Sequence, residues 1–253
     1  MVNRQTLGAC CVAIASLVVG CGWGMVWPAP GAAAVKVTTY GHGAVLFESD
    51  DRRLLINPFQ AVACTADLKE PRLDVDVILA SSLLLDEGAP VARGTFLSTP
   101  GSYVLNDDWR VEGFAVPHDK VNGRRFGKGV VWIWEQAGLR IVNMGGAAVP
   151  PTPEERILLS GADVLVLAVG GGSKVLDGVQ AAQVVNSLKP RLVIPVQYTS
   201  PIPPEDCDLT TLEPFLDALP GTIPVVRQGP TMELSAPMVE GGTTIHVLGL
   251  ESR

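Results

Sequence analysis

The sequence predicts a mixed α/β protein, with two sheets flanked by helices and built from two similar halves. Three observations carry that expectation. From residue 35 onward, short apolar runs alternate with turn residues, which is the pattern of many short strands. In the second half, strand-like apolar runs alternate with stretches of helical spacing. No linker, repeat or low-complexity stretch divides the chain. Two packed sheets with helices outside them are the simplest arrangement of that order.

The elements read as follows. Val35–Tyr40, Ala44–Glu48 and Arg53–Ile56 are expected as consecutive strands, turned at Gly41-His42-Gly43 and Ser49-Asp50-Asp51. Val75–Ala80 is an apolar run short enough for a buried strand. Thr95–Ser98, Tyr103–Leu105 and Val111–Val116 follow as strands. Val130–Glu135 and Leu139–Asn143 form a hairpin through Gln136-Ala137-Gly138. Pro153–Leu159 is a short helix and Asp163–Val169 a buried strand. Val175–Leu188 carries Val175, Val179, Val184 and Leu188 at helix-like spacing and stops before Pro190. Arg191–Val196 is a buried strand, and Leu209–Leu219 a helix closed by Pro220-Gly221. Ile223–Arg227, Met232–Ser235 and Thr243–Leu248 complete the strands.

Composition excludes several classes. Of 253 residues, 47% are hydrophobic and 18% charged, which is not the balance of a disordered chain. The 27 glycines and 20 prolines show no period, so collagen and simple repeats are excluded. With 19 basic against 26 acidic residues, the net charge of −7 argues against a nucleic-acid partner. The length allows one large domain or two small ones.

Residues 1–34 read as a targeting segment and 35–253 as the folded domain. Arg4 is the only charge before Lys36, an apolar stretch runs from Leu7 to Val19, and Gly31-Ala32-Ala33-Ala34 supplies small residues. A basic start, an apolar middle and a small-residue end describe a secretory signal cleaved near Ala34. Val18-Val19-Gly20-Cys21 also resembles a lipoprotein box, which would leave Cys21 acylated. An uncut, membrane-spanning segment is a third reading. In each case the domain is expected outside the cytoplasm, touching a membrane only through this segment. Cleavage near Ala34 would remove three of the five cysteines and leave Cys64 and Cys207. In an oxidising compartment these either form a disulfide or stay as two separate buried thiols.

Several motifs, in order, resemble the metallo-β-lactamase superfamily, closest to the branch of zinc-dependent hydrolases that includes ascorbate-6-phosphate lactonases. They are Tyr40-Gly41-His42-Gly43 with Leu54-Leu55-Ile56-Asn57-Pro58, then Asp76–Ser81, Val116-Pro117-His118-Asp119, Gly138–Ile141, Asp163–Gly171 and Leu188–Tyr198. The resemblance spans about residues 35–250. It implies a four-layer αββα sandwich and, in the family, one or two zinc ions. Such ions lower the pKa of bound water toward ~7 and supply hydroxide to attack an ester or amide.

The resemblance also implies that the metal site is degenerate. Where the family has His-x-His-x-Asp-His, this chain has Ser82, Leu84, Asp86 and Glu87. His118 keeps the next ligand position. Gly146 stands where the bridging aspartate is expected, and Gln197 where the last histidine is expected. Only Asp86 and His118 remain, below the ligand count of a zinc centre. With three histidines in all (His42, His118 and His246), no rearranged histidine-rich site is available. No cofactor is therefore expected.

Other chemistry stays open. Asp86, Glu87, Gln197 and His118 suit an oxygen-preferring cation, such as Ca²⁺, Mg²⁺ or Mn²⁺. Ser82, His118 and Asp86 suit a nucleophile, base and orienter. The plainer reading makes Asp86 and Glu87 a helix start, where carboxylates satisfy free N–H groups. His42 is expected near the pocket, hydrogen-bonding across it or holding a strand turn. His246 reads as packing or surface. Lys120, Arg124, Arg125 and Lys128 form the one concentrated basic patch, suited to an anionic ligand or to a solvated loop. The expectation is a non-catalytic binding or structural module that takes an anionic small molecule or a protein partner. The alternative is a lactone or phosphoester hydrolase with a minimal or altered metal site. Antibiotic hydrolysis is rejected, since it needs the missing zinc hydroxide.

Overall fold

The computed structural model describes residues 34–49, 51–106, 109–238 and 241–250. The targeting segment expected over residues 1–34, with Cys21, lies outside these except for Ala34. Among the described residues no helix is long and apolar enough to cross a membrane.

Strands are numbered in chain order. The first sheet holds β1 (Ala34–Gly41), β2 (Ala44–Ser49), β3 (Arg52–Ile56), β4 (Asp74–Leu79), β5 (Arg93–Leu97) and β13 (Thr231–Ser235), ordered β13-β1-β2-β3-β4-β5. The second holds β6 (Gly101–Val104), β7 (Arg110–Pro117), β8 (Lys128–Gln136), β9 (Leu139–Met144), β10 (Val164–Ala168), β11 (Leu192–Val196), β12 (Val225–Gln228) and β14 (Thr244–Leu248). Its order is β12-β14-β11-β10-β9-β8-β7-β6. The expected hairpin is present as β8 and β9.

Period-two alternation decides which side chains enter the core. Val35, Val37, Val45, Phe47, Leu54 and Val77 of the first sheet are fully or almost fully buried. They share one cluster with Trp132, Trp134, Ile141, Val166 and Ile194 of the second. Alternate residues of the second sheet, including Val131, Ile133, Val142, Leu165 and Val193, point the other way and join a second cluster with helix residues Ala181, Val184 and Phe215. Trp132 sits at the centre, fully buried, and its Nε1 donates to Ala80 O at 3.0 Å. A Cβ on Gly113 would stand 2.6 Å from its ring, so only glycine fits beside it.

The helices α1 (Pro153–Leu159), α2 (Gly178–Leu188) and α3 (Glu213–Ala218) all lie between strands of the second sheet in sequence. α1 has the expected bounds. Thr152 accepts from Glu155 N, and Pro153 occupies a position whose N–H is not needed. α2 starts later than its apolar spacing predicts. Asp177 caps it by accepting from Gln180 N, so Val175 and Leu176 precede the helix, and Val179 is 55% exposed. α3 is shorter than expected, because residues 209–212 are held outside a helix. There Thr210 N donates to Gly170 O at 2.7 Å, and Thr199 N donates to Thr210 O.

β3 to β4 and β4 to β5 are parallel neighbours, so residues 57–73 and 80–92 must cross over one face of the first sheet. The inner face is filled by the second sheet. These outer crossovers carry only one short 3₁₀ turn, Ala63–Thr65. The helix start expected at Asp86–Glu87 is absent, and a run of turns replaces it.

Cys64 and Cys207 are bonded, with an S–S distance of 2.10 Å across 143 residues of sequence. In the chain-entropy model a closed loop of this length is worth about 5 kcal/mol. Replacing both cysteines by serine should lower the urea midpoint by an amount equivalent to about 2–5 kcal/mol. Thiol titration of the denatured protein should rise by two on reduction, and no rise would refute the pairing.

Candidate functional site

The site lies where strand ends from both sheets meet. Asn57, just past β3, has a left-handed backbone (φ 47°), and its Oδ1 accepts from Ser81 N at 2.8 Å. Asn143 Nδ2 donates to Ser81 Oγ at 3.3 Å, while its Oδ1 accepts from Gly145 N at 3.0 Å. Val130 N donates to Ser81 O at 2.8 Å. The exit of β4 is thus tied to β8 and β9. Next, Ser82 Oγ accepts from Leu84 N, and Glu87 N donates to Leu84 O. The turn is tight: a Cβ on Gly88 would stand 1.8 Å from Ser82 O. It points Leu83 and Leu85 to solvent, at 70% and 49% exposure, and buries Asp86 and Glu87.

Glu87 and His118 form a pair with no exposure to solvent. Glu87 Oε1 is 2.7 Å from His118 Nε2, and Gln197 Nε2 donates to Glu87 Oε2 at 2.7 Å. His118 Nδ1 stands 2.9 Å from Gly146 O. A carbonyl can only accept, so Nδ1 carries a proton. In that neutral tautomer Glu87 Oε1 and His118 Nε2 would both be buried without a hydrogen-bond partner. A second proton on Nε2 satisfies both atoms, which makes the ring an imidazolium. Burial alone would push the Glu87 carboxyl up. The His118 hydrogen bond and charge, with Ser82 and the Lys174 charge, overcome it and hold the pKa at about 2. Burial likewise opposes charge on His118, but Glu87 and the Gly146 carbonyl outweigh it and raise the pKa.

Asp86 forms a second pair, with the Lys174 ammonium. Lys174 arrives on the turn before α2 and went unrecognised in sequence, because nothing in its spacing connects it to Asp86. The only available signal was charge balance: two buried carboxylates side by side require cations to neutralise them. His42 has a left-handed backbone (φ 51°), as does Gln197 (φ 52°), and Gln197 N donates to His42 O at 2.9 Å. Burial lowers the His42 pKa despite the neighbouring Asp86 and Glu87, so the ring is neutral near pH 7.

Ser82, His118 and Asp86 do not form a nucleophile–base–orienter chain. His118 Nε2 faces Glu87, and Asp86 faces Lys174. Arg124 and Arg125 are exposed on the loop between β7 and β8 and do not enter the buried cluster. Burial would raise the pKa of Asp119, but the backbone N–H groups of Val121, Gly123, Arg125 and Phe126 converge on its carboxylate and lower it to about 2. Asp119 thereby organises that loop. Arg125 lies 4.7 Å over the Phe126 ring, which is T-shaped to the His118 ring at 6.4 Å. His246 is half-buried on β14 and lines a separate pocket with Arg191, Glu233 and Thr244.

The profile of the beta-lactamase superfamily domain matches residues 36–197. The chain belongs to the beta-lactamase superfamily. Solved structures agree on the fold. A protein from Thermotoga maritima, assigned as a Zn-dependent hydrolase of the metallo-beta-lactamase superfamily, superimposes with a TM-score of 0.66 at 20% identity, covering 85% of this chain and 100% of that one. One from Parabacteroides distasonis, assigned as a metal-dependent hydrolase, gives 0.59 at 14% identity over 85% and 93%. The isothiocyanate hydrolase from Delia radicum gut bacteria gives 0.58 at 14% identity over 79% and 100%. No functionally curated protein matches.

In this superfamily member, the positions that the resemblance assigns to zinc do not supply a zinc donor set. Zinc takes about four N, S or O donors with free lone pairs. Protonated His118 has none, Glu87 is committed through both oxygens, and Asp86 carries an ammonium. Among the described residues, no three His, Cys, Asp or Glu side chains are grouped to hold an ion. Nor is there room for the missing aspartate, since a Cβ on Gly146 would stand 2.7 Å from Ser81 Cβ. Gln197 Oε1 is buried without a partner, but it is a single neutral oxygen.

The pair has a pH signature. Glu87, with its lowered pKa, contributes stability that is present above about 4.5 and lost as pH falls toward about 2. His118, with its raised pKa, contributes stability that is present below 6.5 and lost as pH rises through its higher folded value. Urea unfolding should show the pair's contribution greatest between those limits. Glu87→Ala should cost about 3–5 kcal/mol, because it strands a buried charge. A cost near zero with an unchanged pH profile would show that the pair is not ionised.

Proposed function

We propose that this protein is an exported, non-catalytic binding module of the superfamily, in which two internal ion pairs occupy the place of the zinc centre. The observation that carries the reading is the engagement of both His118 nitrogens, one by the Gly146 carbonyl and one by the Glu87 carboxylate. A ring held that way has no lone pair for a metal. Hydroxide formation in this fold depends on the metal, and the cluster offers no substitute. Its charges are already neutralised in pairs, so it neither attracts a cation nor presents an activated nucleophile.

The ligand of such a module is an anionic small molecule or an acidic face of a protein partner. Lys120, Arg124, Arg125 and Lys128 support this. Lys120, Arg124 and Arg125 are exposed on the loop between β7 and β8 and Lys128 at the start of β8, and none of the four forms an ion pair among the described residues. Export is supported by the pattern of the N-terminal segment and by the disulfide, which suits an oxidising compartment.

The test is elemental analysis of protein purified without added zinc or chelator, before and after zinc loading and dialysis. The expected content is below about a tenth of an equivalent, against the one or two ions of a zinc centre in this fold. About one equivalent or more, lost in Asp86→Ala or His118→Ala, would overturn the proposal and favour a hydrolase with an altered metal site.

A further inference from the structure

A cavity of about 320 Å³ opens beside His42, at the carboxyl ends of the parallel strands β11 and β14. In open α/β sheets that end of the strands is where ligands are held. Its volume is about twice that of a ~150 Å³ apolar cavity able to hold benzene. The walls are mainly apolar, with Leu68, Ile194, Leu248 and Leu250 among them. Thr39, Asp67, Thr199 and Ser200 line it together with two polar rings, the imidazole of His42 and the phenol of Tyr198. Neither side chain makes a hydrogen bond to another group among the described residues. His42 is neutral near pH 7, and burial raises the pKa of Tyr198, so both offer uncharged hydrogen-bonding groups.

The cavity is built rather than incidental. Cys64 belongs to the lining, and its partner Cys207 follows residues 198–204, which supply more of it, so the disulfide ties the two segments together. His42 and Gln197 keep left-handed backbones where the cavity meets the buried ion pairs, each at a cost of about 1–3 kcal/mol. No lysine or arginine lines it, and its one carboxylate, Asp67, is exposed at the edge. An anion would find no counter-charge there, and a cation would gain little from a hydrated carboxylate.

We infer that this cavity is a binding site for a small, uncharged, mainly apolar molecule carrying one hydrogen-bonding group, which His42 and Tyr198 receive. It is distinct from the basic loop, none of whose cations lines it. The inference rests on the reading of the chain as a binding module and names the ligand class of a second site on it.

The experiment is a fluorescence titration of the full chain with 2-naphthol, an uncharged bicyclic alcohol, alongside 2-naphthoate and naphthalene, all in EDTA. Saturable binding of 2-naphthol at one site, at least about tenfold tighter than 2-naphthoate, is expected. Leu68→Trp should fill the cavity and weaken 2-naphthol by about tenfold or more. His42→Asn keeps a side chain that accepts the left-handed backbone but removes the ring. It should weaken 2-naphthol about fivefold while leaving naphthalene unchanged, a difference that a merely structural role would not produce. If Leu68→Trp fails to fold by near-ultraviolet circular dichroism, His42→Asn alone decides. Absence of saturation, equal or tighter binding of 2-naphthoate, or 2-naphthol affinity unchanged in the folded variants would overturn the inference. Zinc uptake in the separate metal analysis would overturn the binding-module reading instead, and EDTA keeps the two results apart.

Discussion

A carboxylate with no access to solvent has to be neutralised, and much of this structure follows from how Glu87 meets that demand. Desolvation of one ion costs several kcal/mol even after relaxation. Glu87 recovers it through the His118 imidazolium and the Gln197 amide, both within 2.7 Å. His118 in turn needs an acceptor for its second nitrogen, which the Gly146 carbonyl provides at 2.9 Å. The arrangement works only if the ends of β4, β7, β9 and β11 are held in register, and that is the role of the inter-sheet core around Trp132.

The backbone reflects the same demand. Non-glycine residues with left-handed dihedrals are uncommon, yet His42, Asn57 and Gln197 gather at this one site. Each places a side chain or carbonyl that the polar network uses: Asn57 holds Ser81 N, Gln197 holds Glu87, and His42 receives Gln197 N. Local strain is tolerated because surrounding hydrogen bonds over-determine the geometry. The fold therefore retains a concave, closely specified site at its strand ends, while the ionisable groups within it are paired with one another.

Loops at that end are ordered by covalent and electrostatic ties rather than by packing alone. Cys64–Cys207 joins two segments that are far apart in sequence, and Asp119 gathers four backbone N–H groups from the loop that presents the cations. Pre-organised loops lower the ordering cost of binding, which suits recognition better than a reaction that needs a closing lid.

Most of the fold was legible in the sequence because buried strands write a period-two or continuous apolar pattern that survives without neighbours, as Val164–Ala168 and Leu192–Val196 do. The hairpin at Ala137-Gly138, α1 with its Thr152-Pro153 start, and the family landmarks around His118 and Gln197 were legible for the same local reason. Capping chemistry was less so: Asp177 overrode the apolar spacing that begins at Val175, and the bonds of Thr210 kept residues 209–212 out of α3. The family landmarks grouped Glu87 with His118 and Gln197 only as a cation site, and neither their direct pairing nor the Lys174 partner of Asp86 was legible. Side by side in sequence, they read as a helix start, yet the tight turn at Gly88 directs them to Lys174 and His118, 88 and 31 residues away. Local pattern determines where strands and caps form, because those forces act within a few residues. Which charge neutralises which is decided only by the tertiary structure, because Coulomb and hydrogen-bond partners are chosen by distance in space, and that distance exists only once both sheets have packed.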